Sequence, residues 1–358
     1  MRTFAICAAG ITLIALGIWY APPEADDFGP FYRAAALVSA HNNVYAGATW
    51  SPAKQADGRF LPYLRLPAYA EALRPLTAFP YRFARRLWIA ALIFAVLAAL
   101  WLFPTEQSAF AVALAFSFPL ANTLMIGQDI CFVLLIVLAS ARIFSSGREF
   151  AAGFVASLLC IKVTYLPAAG LVFLAKSHRG LWGFLTGTVV QFAACFAVGG
   201  PGWVSDYMVM LRSPLLDPEP GRMPGIRGVV AALALPYWVY AVAALALYFG
   251  FWLALRRLSL ADGLSLALAL GLIAAPHAKV YDGVVLIPMF VRLASLGSRE
   301  RALAFIGLAP VLYLMVLMGA HPVMLAGSSL IVALSVMATM RLAAKRETGE
   351  PAAVAACA

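Results

Sequence analysis

The sequence predicts an all-α polytopic membrane protein, and three observations carry the prediction. Hydrophobic residues make up 63% of the 358, against roughly 45–50% in soluble domains even with Gly counted. Charged residues make up 12%, about half the usual quarter, and mean hydropathy is +0.89. Apolar runs approaching the ~20 residues needed to cross a hydrocarbon core recur along the chain. No water-soluble packing hides that much apolar surface, so a secreted or cytosolic enzyme is excluded. The formal charge of +10, from 26 Lys and Arg against 16 Asp and Glu, reads in such a chain as basic inner loops and not as nucleic-acid binding.

In chain order the clear spanning runs are Phe4–Tyr20, Leu87–Phe103, Ser108–Gln128, Leu181–Gly200, Val229–Leu255, Ala302–Ala320 and Val323–Met340. Shorter ones are Ile130–Phe144, Gly263–Ala275 and Gly283–Leu296. The first run is long for a signal peptide, and Pro22-Pro23-Glu24 offers no A-x-A cleavage site, so it is expected to stay as a spanning helix.

Phe150–Ala175 is apolar except for Lys162, and is either one span or a hairpin of two half-spans. As one span it places Lys176, Arg179, Arg256, Arg257, Arg292, Arg299, Arg301, Arg341, Lys345 and Arg346 outside and only Arg212, Arg222, Arg227 and Lys279 inside. That inverts the positive-inside rule. A hairpin turning near Lys162 exchanges the two sets and brings the larger one to the side of Arg2, Arg142 and Arg148. The hairpin is therefore expected. Each arm then has about 12 residues, or about 18 Å of helix, which leaves a buried cationic apex facing a cavity instead of lipid.

The result is about twelve membrane helices in a single domain over residues 1–343, both ends cytoplasmic, with a cytoplasmic tail at 344–358. The outer loops are 21–86, 200–228 and 275–282. The large first loop is expected to carry two short amphipathic helices, Ala34–Ala40 on the membrane surface and Ala68–Thr77. Unusual polar, aromatic and ionisable clusters all fall on this outer face. They are Asp26-Asp27-Phe28 with Phe31-Tyr32, the aromatics Tyr45, Trp50, Tyr63 and Tyr69 around Arg65, the tip Gly127-Gln128-Asp129, and Pro276-His277-Ala278-Lys279-Val280-Tyr281-Asp282. Each has a plainer reading. Asp27 and Asp282 can cap helices, Arg82, Arg85 and Arg86 can anchor at the interface, Lys279 can sit among headgroups, and Gly127-Gln128 can serve helix packing.

Cys7, Cys131, Cys160, Cys195 and Cys357 show no paired spacing, so neither a disulfide framework nor a zinc site is expected. Carboxylates and histidines show no metal spacing either, and no cofactor or metal is expected.

Taken in order, DFGPFYRAA at 27–35, YLRLPAYAEALRPL at 63–76, GQ at 127–128, GFVASLLCIKVTYLP at 153–167, MPGIRG at 223–228 and PHAKVYD at 276–282 form a pattern. The pattern resembles the family 87 glycosyltransferases, integral-membrane enzymes of the GT-C class similar to polyprenyl-phosphate-mannose-dependent mannosyltransferases, from the first helix to about residue 290. The resemblance implies a GT-C-like fold, Asp27 as catalytic base, and His277 as a contact to the donor phosphate. It aligns Lys162 with the lysine of the family's short hairpin and Asp282 with the acid of its last outer motif. Tyr63, Arg65, Gln128, Lys279 and Arg227 join them as substrate-binding candidates. The family's Tyr-Pro-Pro motif appears here as Tyr63-Leu64-Arg65-Leu66-Pro67, a departure on the acceptor side.

The resemblance implies a polyprenyl-phosphate-sugar donor, mannose favoured, a glycolipid or polysaccharide acceptor, and a plasma-membrane enzyme working on the extracytoplasmic side. Such a hexosyltransferase needs one carboxylate. A glycosidase must also protonate an alkoxide leaving group, whereas a phosphate with second pKa near 6 departs as a stable anion. The rival readings are a polytopic transporter or flippase and an inactive membrane scaffold. A transporter calls for related halves with matching broken helices, and only the Lys162 segment is broken. A scaffold has no need of Asp27, Lys162, His277 and Asp282 together.

Overall fold

The computed structural model describes residues 10, 12, 27–45, 63–103, 107–212 and 220–345. Apart from residues 10 and 12, the expected first span Phe4–Tyr20 lies outside them, as do Asp26, Trp50 and the C-terminal tail beyond residue 345. Among the described residues every regular element is helical. In chain order these are α1 (Phe28–Ser39), α2 (Pro67–Leu73), α3 (Tyr81–Leu102), α4 (Gln107–Ala115), α5 (Phe118–Ile126), α6 (Ile130–Ser145) and α7 (Glu149–Ser157). There follow α8 (Leu166–Lys176), α9 (His178–Gly199), α10 (Trp203–Leu211), α11 (Ile226–Ala232), α12 (Tyr237–Leu255) and α13 (Leu260–Ile273). The last are α14 (Ile287–Ala294), α15 (Ser298–Leu308), α16 (Pro310–Met318) and α17 (His321–Lys345).

Six segments among the described residues are long and apolar enough to cross a membrane: Tyr81–Leu102, Glu149–Lys176, His178–Gly199, Tyr237–Leu255, Ser298–Met318 and His321–Ala344. A seventh is the pair Ser108–Ala115 and Phe118–Ile126, bent by 59°. The sequence reads as one continuous run there. The bend arises because the Ser117 hydroxyl accepts from the Leu120 N–H and Pro119 occupies the first turn, so a new helix is capped where the old one would have continued. The run expected over Val229–Leu255 is likewise divided, into α11 and α12, with Pro236 preceding the first residue of α12.

Length misleads for one of the six. Glu149 and Ser177, the two ends of the 149–176 segment, are joined by a hydrogen bond of 2.6 Å from the Ser177 hydroxyl to the Glu149 carboxylate. A straight helix of that length would separate them by about 40 Å. Its arms run in opposite senses against α9. Along α7, Phe150 meets Gly183 and Ser157 meets Gly187, so those two run parallel, whereas along α8 Gly170 meets Phe184 and Phe173 meets Gly180. The segment is a hairpin. It turns through the 3-10 stretch Leu158–Tyr165, where Lys162 leaves helical geometry at φ −142°, ψ 86°.

The α7–α9 contact is a glycine seam. A Cβ on Gly153 or on Gly183 would fall inside the carbonyl oxygens of Gly180 and Phe150 respectively. Gly153→Ala is therefore expected to cost at least the 1–3 kcal/mol of an overpacked core and to lower the thermal unfolding midpoint in detergent. Gly250→Ala, where nothing lies within 4 Å, is the matched control; equal midpoints for the two variants would refute the seam.

A second hairpin faces the first. Arg292 near the end of α14 pairs with Asp262 near the start of α13 at 2.7 Å, so the chain rises along α13, turns through residues 274–279 and returns along the 3-10 stretch Val280–Leu286 and α14. α1 starts at Phe28, six residues earlier than expected, because Pro30 is tolerated in a first turn. It buries Phe28, Phe31, Ala34, Ala35 and Val38. The larger of two hydrophobic clusters among the described residues draws members from Phe28 to Leu342, and a smaller one holds Ile226, Val230 and Tyr240.

Candidate active site

The site is assembled on the frayed end of α5. The last carbonyls of a helix have no intrahelical partner, and three of those on α5 and its cap are met by other segments. Ile126 O accepts from the Asp27 backbone N–H at 2.7 Å and Met125 O from Arg85 Nη2 at 3.2 Å, while Trp88 Nε1 reaches Gly127 O at 2.7 Å. Gly127 closes the helix at φ 75°, ψ 31°, the left-handed cap position where a Cβ is disfavoured. The chain then reverses into α6 with Gln128 and Asp129 at the tip. One turn back on α5, Thr123 donates to Tyr281 O at 3.2 Å, which holds the second hairpin's apex beside the same helix end.

Asp27 stands at the N-cap position of α1, yet its side chain makes no capping hydrogen bond. Its Oδ2 accepts instead from Gln128 Nε2 at 2.6 Å. Gln128 Oε1 in turn accepts from Arg65 Nη2 at 3.3 Å, and Arg65 grips Asp129 through Nε and Nη2 at 2.6 Å each. The result is a chain of contacts, Asp27–Gln128–Arg65–Asp129, linking the first loop to the tip between α5 and α6.

Arg65 and Asp129 are both buried. Burial works against the guanidinium's charge, but the Asp129 charge and hydrogen bonds outweigh it, so the Arg65 pKa is raised above its ordinary value. The guanidinium also lies 5.4 Å from the Phe31 ring centre. Tyr45 donates to Arg65 O at 2.6 Å and Tyr63 to Leu66 O at 2.9 Å, fixing the backbone of the segment that presents Arg65. The Arg65 guanidinium and the Tyr63 hydroxyl thus have their polar atoms turned to protein partners. The Tyr69 hydroxyl is buried beside them without a hydrogen-bond partner.

The apexes of the two hairpins meet. Lys162 Nζ donates to Asp282 Oδ1, both residues being buried. The second carboxylate oxygen of Asp282 accepts from the Lys279 backbone N–H at 2.9 Å, so Asp282 caps its own turn and pairs with Lys162 together. Lys162 Nζ also lies 5.5 Å from the Tyr281 ring centre. Desolvation, and then the carboxylates of Asp27 and Asp282, push the Tyr281 phenol well above its ordinary range, so it stays a neutral donor near both acids.

His277 and Lys279 are half-buried on the same turn, behind exposed Pro276. Arg227 lies apart on α11, its guanidinium 5.0 Å from the Tyr237 ring centre. The structure therefore gathers Asp27, Arg65 and Gln128 into one contact chain and Lys162 and Asp282 into one pair, with His277 and Lys279 on the apex loop. Asp129, Trp88 and Arg85 complete the assembly; sequence reasoning had them only as a loop tip, a span residue and an interface anchor. Among the described residues no group of three or more His, Cys, Asp or Glu is arranged to hold a metal.

Helices with exposed apolar flanks, wrapped around carboxylates and cations at the reversals of short hairpins, define a polytopic membrane protein with an ionisable site at one end of its bundle. Residues 66–276, more than half of the chain, match the model of glycosyltransferase family 87, and the chain belongs to that family: it is a membrane glycosyltransferase. Gln128, Lys162 and Arg227 fall within the matched residues, whereas Asp27, Tyr63, Arg65, His277, Lys279 and Asp282 flank them. No curated protein and no solved structure matches the chain.

Proposed function

We propose that the protein is an inverting hexosyltransferase of the GT-C class that takes its sugar, mannose by preference, from a polyprenyl-phosphate carrier and passes it to a glycolipid or polysaccharide hydroxyl on the outer side of the plasma membrane. The carrying observation is the Asp27 carboxylate, which forgoes its capping bond and is held by Gln128 at the end of the bundle where two hairpin apexes bring Lys162, His277 and Lys279. About twelve membrane helices with both ends cytoplasmic put that end on the outer face, where nucleotide sugars are absent and a prenyl tail in the bilayer delivers the donor.

In the reaction Asp27 accepts the proton of the acceptor hydroxyl as its oxygen bonds to the anomeric carbon. The bond from that carbon to the phosphate oxygen breaks on the opposite face, and the electron pair leaves with the polyprenyl phosphate. His277 and Lys279, with Lys162 behind them, meet the charge that grows on the phosphate, where cations in a low-dielectric site act most strongly. Arg65 and Gln128 hold the base.

The test is transfer of labelled sugar by the purified protein from a panel of polyprenyl-phosphate hexoses and of nucleotide hexoses to a membrane lipid extract. Label is expected from polyprenyl-phosphate donors only, in a linkage of inverted anomeric configuration. Equal transfer from nucleotide sugars, or a retained configuration, overturns the reading.

A further inference from the structure

The end of the bundle remote from Asp27 carries a second polar feature. A cavity of about 30 Å³ lies among the end of α3, the last turns of α6, the start of α13 and the end of α14, with Leu102, Val137, Arg142, Ser145, Ser265 and Arg292 in its wall. Along α3, Leu102 stands about 14 residues beyond Trp88, or about 21 Å of helix, so the cavity is separate from the Asp27 cluster.

Its cations are incompletely matched. Arg292 pairs through Nη1 with Asp262 at 2.7 Å and lies 5.6 Å from the Phe103 ring centre, yet its Nε is buried without a hydrogen-bond partner. A buried donor left unmade costs about 1–3 kcal/mol, and its retention asks for an acceptor. Asp262 meets Arg292 through Nη1 and also takes the Ser259 hydroxyl at 2.6 Å. Arg142 lines the same cavity, is exposed, and has no acidic partner among the described residues. With Arg292 offset by Asp262, the cavity keeps one uncompensated positive charge and guanidinium donors from two sides.

We propose that this cavity is an anion site that takes a single phosphate group, carried by an anionic phospholipid headgroup or as free phosphate. Its volume of about 30 Å³ has room for only a few oxygen atoms by the usual allowance of about 10–15 Å³ per water, so it admits the oxygens of one phosphate entering from the exposed Arg142 side and excludes a nucleotide or a sugar. The guanidinium fork is the donor geometry that phosphate oxygens take best.

The experiment is thermal unfolding of the purified full chain in a neutral detergent, titrated separately with inorganic phosphate, with phosphatidylglycerol and with phosphatidylcholine. A saturable rise in the unfolding midpoint is expected with phosphatidylglycerol, with inorganic phosphate, or with both, and the effective probe identifies the source of the phosphate. Arg142→Ala, at an exposed position, is expected to raise the half-saturating concentration about tenfold (1.4 kcal/mol is a factor of ten), and Arg142→Lys by less. Arg301→Ala removes a cation outside the cavity and should leave the titration unchanged. The proposal fails if neither anionic probe saturates, if phosphatidylcholine works as well as phosphatidylglycerol, or if Arg301→Ala weakens the response as much as Arg142→Ala.

Discussion

Asp27→Asn is expected to lower the turnover of sugar transfer about 10²–10⁴-fold, the usual contribution of a positioned general base, with little change in the donor concentration at half-maximal rate. The substitution is informative because it keeps the size of the side chain and an acceptor for Gln128 while removing the charge. Asparagine caps helices as well as aspartate does, and its amide oxygen can still accept from Gln128. The contact from the backbone N–H of residue 27 to Ile126 O involves no side chain. Stability should therefore be unchanged, and a lost rate cannot be assigned to a lost fold.

The same geometry ranks the neighbours. Gln128→Ala removes the donor to Asp27 but leaves Arg65 both of its bonds to Asp129. The base then stays in place with more freedom, and a loss of roughly tenfold is expected, on the scale of one hydrogen bond to a charged group. A rate for Asp27→Asn within a few-fold of wild type in the labelled-transfer assay would remove Asp27 from the mechanism, and a larger loss for Gln128→Ala than for Asp27→Asn would show that Gln128 does more than hold Asp27.

Much of this architecture could be read from charge and hydropathy, and the Lys162 hairpin is the clearest case. The distribution of arginine and lysine over distant loops required the segment to return to its own side, and the Glu149–Ser177 hydrogen bond shows that it does. The bend between α4 and α5 was equally legible, in Ser117 and Pro119, but a continuous apolar run conceals a helix stop when hydropathy alone is followed. The Arg65–Asp129 pair was not legible. Its members lie 64 positions apart, and nothing local tells which of 16 acids in the chain an arginine in an irregular loop will meet. Asp129 looked like part of a tip because its role is created by what packs on the end of α5. Asp27 shows the opposite limit. The sequence allowed a cap there, and the side chain turns instead to Gln128, a direction that no local pattern gives.

The Lys162–Asp282 pair should be the most costly contact in the site to break by halves. Both members are buried, at the apexes of hairpins whose bases are fastened separately by Glu149–Ser177 and Asp262–Arg292. Removing one partner leaves the other charge buried and unpaired, which costs about 3–5 kcal/mol. Lys162→Met and Asp282→Asn are each expected to lower the unfolding midpoint by several degrees. Asp282→Asn should do somewhat less, since an amide oxygen can still accept from the Lys279 N–H. Replacing both, as Lys162→Met with Asp282→Asn, removes the uncompensated charge, keeps an acceptor for the Lys279 N–H and should recover most of the lost stability, because a buried ion pair exchanged for uncharged groups of similar volume is often neutral. Additive losses in the double variant would show that the two side chains are not coupled. Activity then separates position from chemistry. If the pair only joins the hairpins, the stable double variant regains transfer along with its midpoint. If Lys162 also faces the donor phosphate, the midpoint returns and transfer does not, because the cation that meets the leaving group is gone while the scaffold that carried it stands.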